Sequence, residues 1–207
     1  MGFTSNPHVE ATKPKGRRMY VRRNGEVTQE DVTMRDFRKG GYAPSFSEIS
    51  SALHSAFLGT VDMQHLNELA AIGSKHHDRA EAYAIEVLIN KSATKDEYIQ
   101  RSNLEEPDLK VIEWLETYVE EVWHSEVKLL HDRTATPFAG TADLVVRLKD
   151  GSIALCDYKF RKWGGTILKP QPRGCITLKD ALQMACYEDL VYKEMNVRVD
   201  NWVSIMV

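Results

Sequence analysis

No run of the roughly 18 consecutive apolar residues that a membrane helix needs occurs in this 207-residue chain, so no membrane association is expected. The first 30 residues also lack the apolar centre of a secretory signal, and an intracellular, cytoplasmic protein is expected. Gly2 follows Met1, but Asn6 stands where a myristoylation signal has Ser or Thr. Cysteine is scarce. Cys156, Cys175 and Cys186 form an odd set with no CxxC pair, which argues against a disulfide framework, a zinc site or an iron-sulfur cluster and fits a reducing compartment. There is no internal repeat and no low-complexity tract.

With 43% apolar and 28% charged residues, the chain has an ordinary globular balance and enough length for one sizeable core. The net charge of -3 argues weakly against nucleic acid, whose binding relies on Lys and Arg displacing counterions. The charge is segregated, however. Lys159, Arg161, Lys162, Lys169, Arg173 and Lys179 follow one another without an acidic residue, whereas the segment from Leu104 to Glu126 carries eight carboxylates against Lys110 alone.

Residues 1–43 mix Pro, Gly, Ser and charge, including the run Lys13-Pro14-Lys15-Gly16-Arg17-Arg18, and read as a basic, partly irregular arm. Residues 44–207 read as a single domain. Ser47 is the expected N-cap of a short helix bearing Ile49, Leu53 and Phe57. A second helix is expected from about Gln64 to Ile89, interrupted near Gly73, and a third from Pro107 with Leu109, Ile112, Leu115, Val119 and Val122 on one face. After His124 the period becomes alternating, giving strands at Val127–Leu129, Ala142–Leu148 and Ile153–Tyr158. Thr177 and Asp180 resemble a capping box opening a helix to about Asn196, and Val199–Val207 reads as a last strand. The order predicts an α/β domain with a mixed central sheet flanked by helices, strand-strand-strand-helix-strand after N-terminal helices.

The turn at Asp150-Gly151 decides which side chains share a face, because a one-residue slip moves every one across the sheet. A two-residue turn puts Asp143 and Asp157 on opposite faces. A three-residue loop, Lys149-Asp150-Gly151 with Gly151 left-handed, pairs Leu148 with Ser152 and sets Asp143 opposite Asp157. This second register is the one expected. Lys159, two residues beyond Asp157, then shares their face with Val145, Ile153 and Leu155. Two carboxylates on a covered face favour a bound cation, and hard oxygen ligands suit Mg²⁺ or Mn²⁺. The competing view is a surface network of the two aspartates with Lys159 or Arg147. Gln183 and Tyr187, four apart, share a helix face from which they could reach a phosphate or orient Lys159. Arg161 and Lys162 beside Trp163 suit a groove that tracks a nucleic-acid backbone with one stacking platform.

Gly140-Thr141-Ala142-Asp143, Asp157-Tyr158-Lys159 and Gln183-Met184-Ala185-Cys186-Tyr187 resemble, in order and spacing, the GxxD, DxK and QxxxY motifs of RecB-type exonucleases of the PD-(D/E)XK superfamily. The resemblance covers residues 44–207 and is to members without an iron-sulfur cluster, such as phage exonucleases and the mitochondrial genome maintenance exonuclease. It implies a PD-(D/E)XK, restriction-endonuclease-like core, catalysis by Asp143, Asp157 and Lys159, and two Mg²⁺ or Mn²⁺ ions held by His77, Asp143, Asp157 and the Tyr158 position. His77 rests on a Gly73-to-His77 spacing that matches the family, and the neighbouring His76 is its rival. Glu126 matches an acidic residue that the family places near the metal.

The implied activity is metal-dependent hydrolysis of DNA phosphodiester bonds from a free end or single strand, leaving a 5′-phosphate and a 3′-hydroxyl. DNA recombination, repair or phage DNA processing is the implied setting, in the cytoplasm of a bacterial host if the chain is phage-encoded, with a recombinase or single-strand-binding protein as candidate partner. The alternatives are a structure-specific endonuclease of the same fold and a non-catalytic DNA-binding module of a recombination complex.

Overall fold

The computed structural model describes residues 17–32, 41–50, 63–132, 137–160 and 177–207. These residues form a mixed α/β structure with two sheets. Strands β1 (Arg17–Arg23), β2 (Glu26–Val32) and β3 (Tyr42–Ala43) make one sheet in the order β2-β1-β3. Helix α1 (Met63–Tyr83) runs directly into a π-helical turn (Ala84–Ile89), followed by α2 (Lys95–Arg101) and α3 (Glu106–Tyr118). The second sheet has the order β4-β5-β6-β7, from β4 (Val119–His131), β5 (Phe138–Leu148), β6 (Ile153–Lys159) and β7 (Asn201–Met206), with α4 (Leu178–Met195) between β6 and β7. β4, β5 and β6 are antiparallel, and β7 returns parallel to β6 through the α4 crossover. Among the described residues no helix is long and apolar enough to cross a membrane.

Within the N-terminal segment, whose composition suggests a partly irregular arm, the described residues 17–32 and 42–43 form strands. Asn24 and Gly25 both have positive φ (50° and 91°), as a two-residue type I′ hairpin turn demands, and Arg23 pairs with Glu26 across it. Tyr20 and Ala43 from this small sheet pack with Leu130 and Ala139 of the large one, while Arg22 is tied to Asp132, Glu194 and the Leu130 carbonyl. Lys13–Gly16 of the basic run lie outside the described residues, as do Leu53 and Phe57. Residues 46–50 are helical, and their cap is Ser45, whose Oγ accepts from the Glu48 N–H (3.1 Å), rather than Ser47.

The large sheet is covered on both faces. Leu144, Val146, Ala154, Cys156 and Tyr158 pack with Tyr83, Val111, Ile112 and Leu115 of the α1 and α3 layer. Val145 and Leu155 pack with Met184, Leu190 and Val191 of α4. The Thr177–Asp180 capping box that opens α4 is formed. Helix α1 passes through Gly73 without interruption.

Two boundaries differ from the sequence expectation. Helix α3 stops at Tyr118, so Val119 and Val122 belong to β4, and Leu109 is 43% exposed instead of buried. β4 carries register irregularities between Val119 and His124. The insertion leaves the buried residues Val119 and Val122 three apart, which mimics a helical stripe in a bulged strand. Helix α2 was not expected, although Thr94 and Glu97 form a full capping box ahead of its single buried residue, Tyr98.

Candidate active site

Strands β5 and β6 of the large sheet, β1 and β2 of the small one, the segment 45–50 and helices α1 and α4 meet at one cleft. The β5–β6 hairpin has the register of the three-residue loop: Leu144 pairs with Cys156 and Val145 with Leu155, Leu148 N–H donates to Ser152 O (2.8 Å), and Gly151 has φ 89°. Continued by one residue, that register sets Asp143 opposite Asp157. Both are buried, and both line a cleft of about 480 Å³ together with His77, Lys159, Gln183 and Tyr187. Arg147 is elsewhere, paired with Glu120 and Glu121, so the aspartates do not form a surface network with it.

Asp143 accepts the Tyr158 backbone N–H at Oδ2 (2.7 Å), and the same oxygen lies 3.7 Å from His77 Nδ1. Glu126 Oε1 is 3.9 Å from that nitrogen, and His77, Glu126 and Asp143 offer ligand atoms all within 4.8 Å of one another. Glu126 sits between Ser125 and Val127, which pair with Leu144 and Ala142, and so faces Asp143. Its φ of 47° is left-handed, a conformation that costs a residue with a Cβ about 1–2 kcal/mol. Strain of this kind inside a strand marks a position where side-chain direction outweighs backbone comfort.

On the β6 side, Lys159 Nζ donates to Asp157 (2.7 Å to Oδ1) and lies 4.0 Å from Asp180 Oδ1. Gln183 Nε2 donates to the same Asp157 oxygen (3.1 Å). Tyr187 lies against Gly140. A Cβ at Gly140 would stand 2.2 Å from Tyr187 Cε1, so the close approach of ring to strand requires glycine there. The first residue of the GxxD pattern and the last of the QxxxY pattern are thus in contact.

The tandem histidines part company. His77 points at the carboxylates, edge-on to the rings of Tyr158 and Phe160. His76 turns to the buried Asp108 (Nδ1 to Oδ1, 2.6 Å), which also accepts from Arg79 (2.7 Å) and from the Glu105 N–H (2.8 Å). Tyr158 contributes its backbone N–H, while its phenol is buried in the α1 and α3 layer. Arg161, Lys162 and Trp163 lie outside the described residues, as do Lys169, Arg173 and Cys175.

Electrostatically the site is short of positive charge. Burial, reinforced by Asp157 and Glu126, pushes the Asp143 carboxyl up to about 7 despite the opposing pull of His77. Burial also raises Asp157, against Lys159. For His77 burial works downward, but Glu126, Asp143 and Asp157 outweigh it and the imidazole is raised.

Other cleft residues were given no site role from sequence: Tyr20, Gln29, Ser45, Ser47, Glu48, Thr141 and Lys179. Two come from the small sheet, whose Asn24-Gly25 turn was the available signal. Thr141 stands two before Asp143, on the same strand face.

No family model matches the sequence, and no curated protein matches it.

Proposed function

We propose that the protein is a divalent-metal-dependent DNA exonuclease built on a PD-(D/E)XK-type core, with Asp143, Asp157 and Lys159 as its catalytic residues. One observation carries the reading: β5 and β6 bring two buried carboxylates and an ammonium into register on one face, and α1 and β4 add His77 and Glu126. The α1, β4-β5-β6, α4, β7 order around them supports the core assignment.

The donor set fits Mg²⁺ or Mn²⁺. Three carboxylates converge with one imidazole and one ammonium, and burial, with the neighbouring Asp157 and Glu126, pushes the Asp143 carboxyl up to about 7, an arrangement whose ionised form a hard divalent cation would stabilise. Asp143 and Asp157 would hold one or two ions, with His77 and Glu126 contributing. When bound, such an ion lowers the pKa of water and offsets charge on the scissile phosphate.

The chain's own groups have distinct tasks. Asp143 is fixed by the Tyr158 N–H. Asp157 is fixed by Gln183 and Lys159. The Lys159 ammonium has three donors, and those not spent on Asp157 are available to a phosphate oxygen or the attacking water. In the hydrolysis, the water oxygen bonds to phosphorus, the bond to the 3′-oxygen breaks, and that oxygen takes up a proton as the water loses one. A 5′-phosphate and a 3′-hydroxyl result.

The test is digestion of end-labelled linear single-stranded and duplex DNA, with closed circles beside them, in Mg²⁺, Mn²⁺ or EDTA. Metal-dependent shortening of linear DNA alone supports the reading. Cutting of closed circles would make the protein an endonuclease, and binding without cleavage would make it a DNA-binding module.

A further inference from the structure

The cleft is asymmetric. His77, Asp143 and Asp157 line one part of it, whereas Tyr20, Gln29, Ser45, Ser47 and Thr141 bring hydroxyls and an amide from the small sheet, the segment 45–50 and the start of β5, where Glu48 adds one carboxylate. A phosphodiester beside a cation site needs both: anionic oxygens facing the metal side, and neutral or positive donors for those facing away.

Tyr20 is nearly fully buried, and its hydroxyl lies 2.8 Å from Thr141 Oγ1, a contact spanning 121 positions. Two hydroxyls share one hydrogen bond by using one of their two hydrogens. With Tyr20 as donor, the Thr141 O–H remains to donate elsewhere. Thr141 is half-buried, lines the cleft and projects from the same face of β5 as Asp143.

We propose that Thr141 is a phosphate-binding residue of the DNA cleft and that Tyr20, from the N-terminal sheet, is the positioning residue that fixes its hydroxyl. The proposal rests on the DNA-hydrolysing reading above and extends it to an unspecified position of the GxxD pattern, Thr141, and to Tyr20, which lies outside all three motifs. It makes the β1-β2-β3 sheet part of the substrate site.

The experiment is steady-state cleavage of linear single-stranded DNA by wild type, Thr141→Val, Thr141→Ser, Tyr20→Phe and the Tyr20→Phe/Thr141→Val double variant, with Tm recorded for each. Loss of a hydrogen bond to a charged group should raise KM for Thr141→Val by about ten-fold, with kcat changed much less. Thr141→Ser should keep the wild-type KM, Tyr20→Phe should fall between, and the double variant should match Thr141→Val.

An unchanged KM in Thr141→Val, with wild type active, overturns the proposal and leaves the nuclease reading standing. So does a loss that follows Tm and is not restored in Thr141→Ser, since the pair would then only tether the two sheets. A wild type that neither cleaves nor binds DNA defeats both.

Discussion

At Gly140 a single missing carbon decides how closely α4 approaches β5. Gly140→Ala should displace Tyr187 or strain the strand, costing about 1–3 kcal/mol, seen as a lower urea midpoint together with impaired cleavage. The pairing of Asp143 with Asp157 was only half legible from the hairpin: a two-residue and a three-residue turn both allow a left-handed Gly151, and the strand register selects the three-residue one. The choice between His76 and His77 was not legible from the residues. Adjacent helix positions point about 100° apart, and only the packed α3 shows that Asp108 claims His76. The left-handed φ of Glu126 was equally hidden, since Glu is not a residue whose presence announces that conformation. Substitution Asp143→Asn or Lys159→Ala should lower kcat at least about 100-fold while circular dichroism stays native, because both act on the reacting groups and not on core volume.

The elements that present these residues are held by buried polar contacts as well as by apolar packing. Asp108 anchors α3 to α1 by accepting from Arg79, His76 and the Glu105 N–H at 2% exposure. Asp108→Ala would leave the Arg79 guanidinium without this partner, and a loss of about 3 kcal/mol in denaturant unfolding is expected. Because α1 carries His77, loosening this joint should also weaken Mn²⁺ binding, measurable by calorimetry at temperatures where the variant remains folded. Helix and strand types were readable wherever periodicity was regular, as in α4 and the β5–β6 hairpin. They were misread where a bulge broke the alternation, at Val119–His124, and where charged residues obscured a hairpin, at Arg17–Val32. In both places local spacing carried the wrong period or none, and pairing with distant strands supplied the answer.

For the whole molecule, the acidic cleft sets folding against the burial and mutual repulsion of its carboxylates. The Asp143 carboxyl is raised from 3.8 to about 7, so the folded state holds a proton that the unfolded chain has released. Its contribution to stability is therefore present below about pH 4 and is lost as pH rises toward 7. The raised Asp157 and His77 act in the same direction. Without added metal, the difference in Tm between wild type and Asp143→Asn should widen in favour of the variant across that interval. Millimolar Mg²⁺ or Mn²⁺ should raise the wild-type Tm most at the upper end, where the carboxylates are deprotonated, and should do little for the variant. A wild-type Tm indifferent to these ions at every pH would contradict a cation site at His77, Glu126 and Asp143. The most direct test of the central claim is end-labelled linear single-stranded DNA incubated with wild type and Lys159→Ala, in Mn²⁺ and in EDTA. The account predicts progressive shortening from an end by wild type in Mn²⁺ only, and none by the variant. Equal cleavage by both proteins, or none by wild type in any metal, would contradict it.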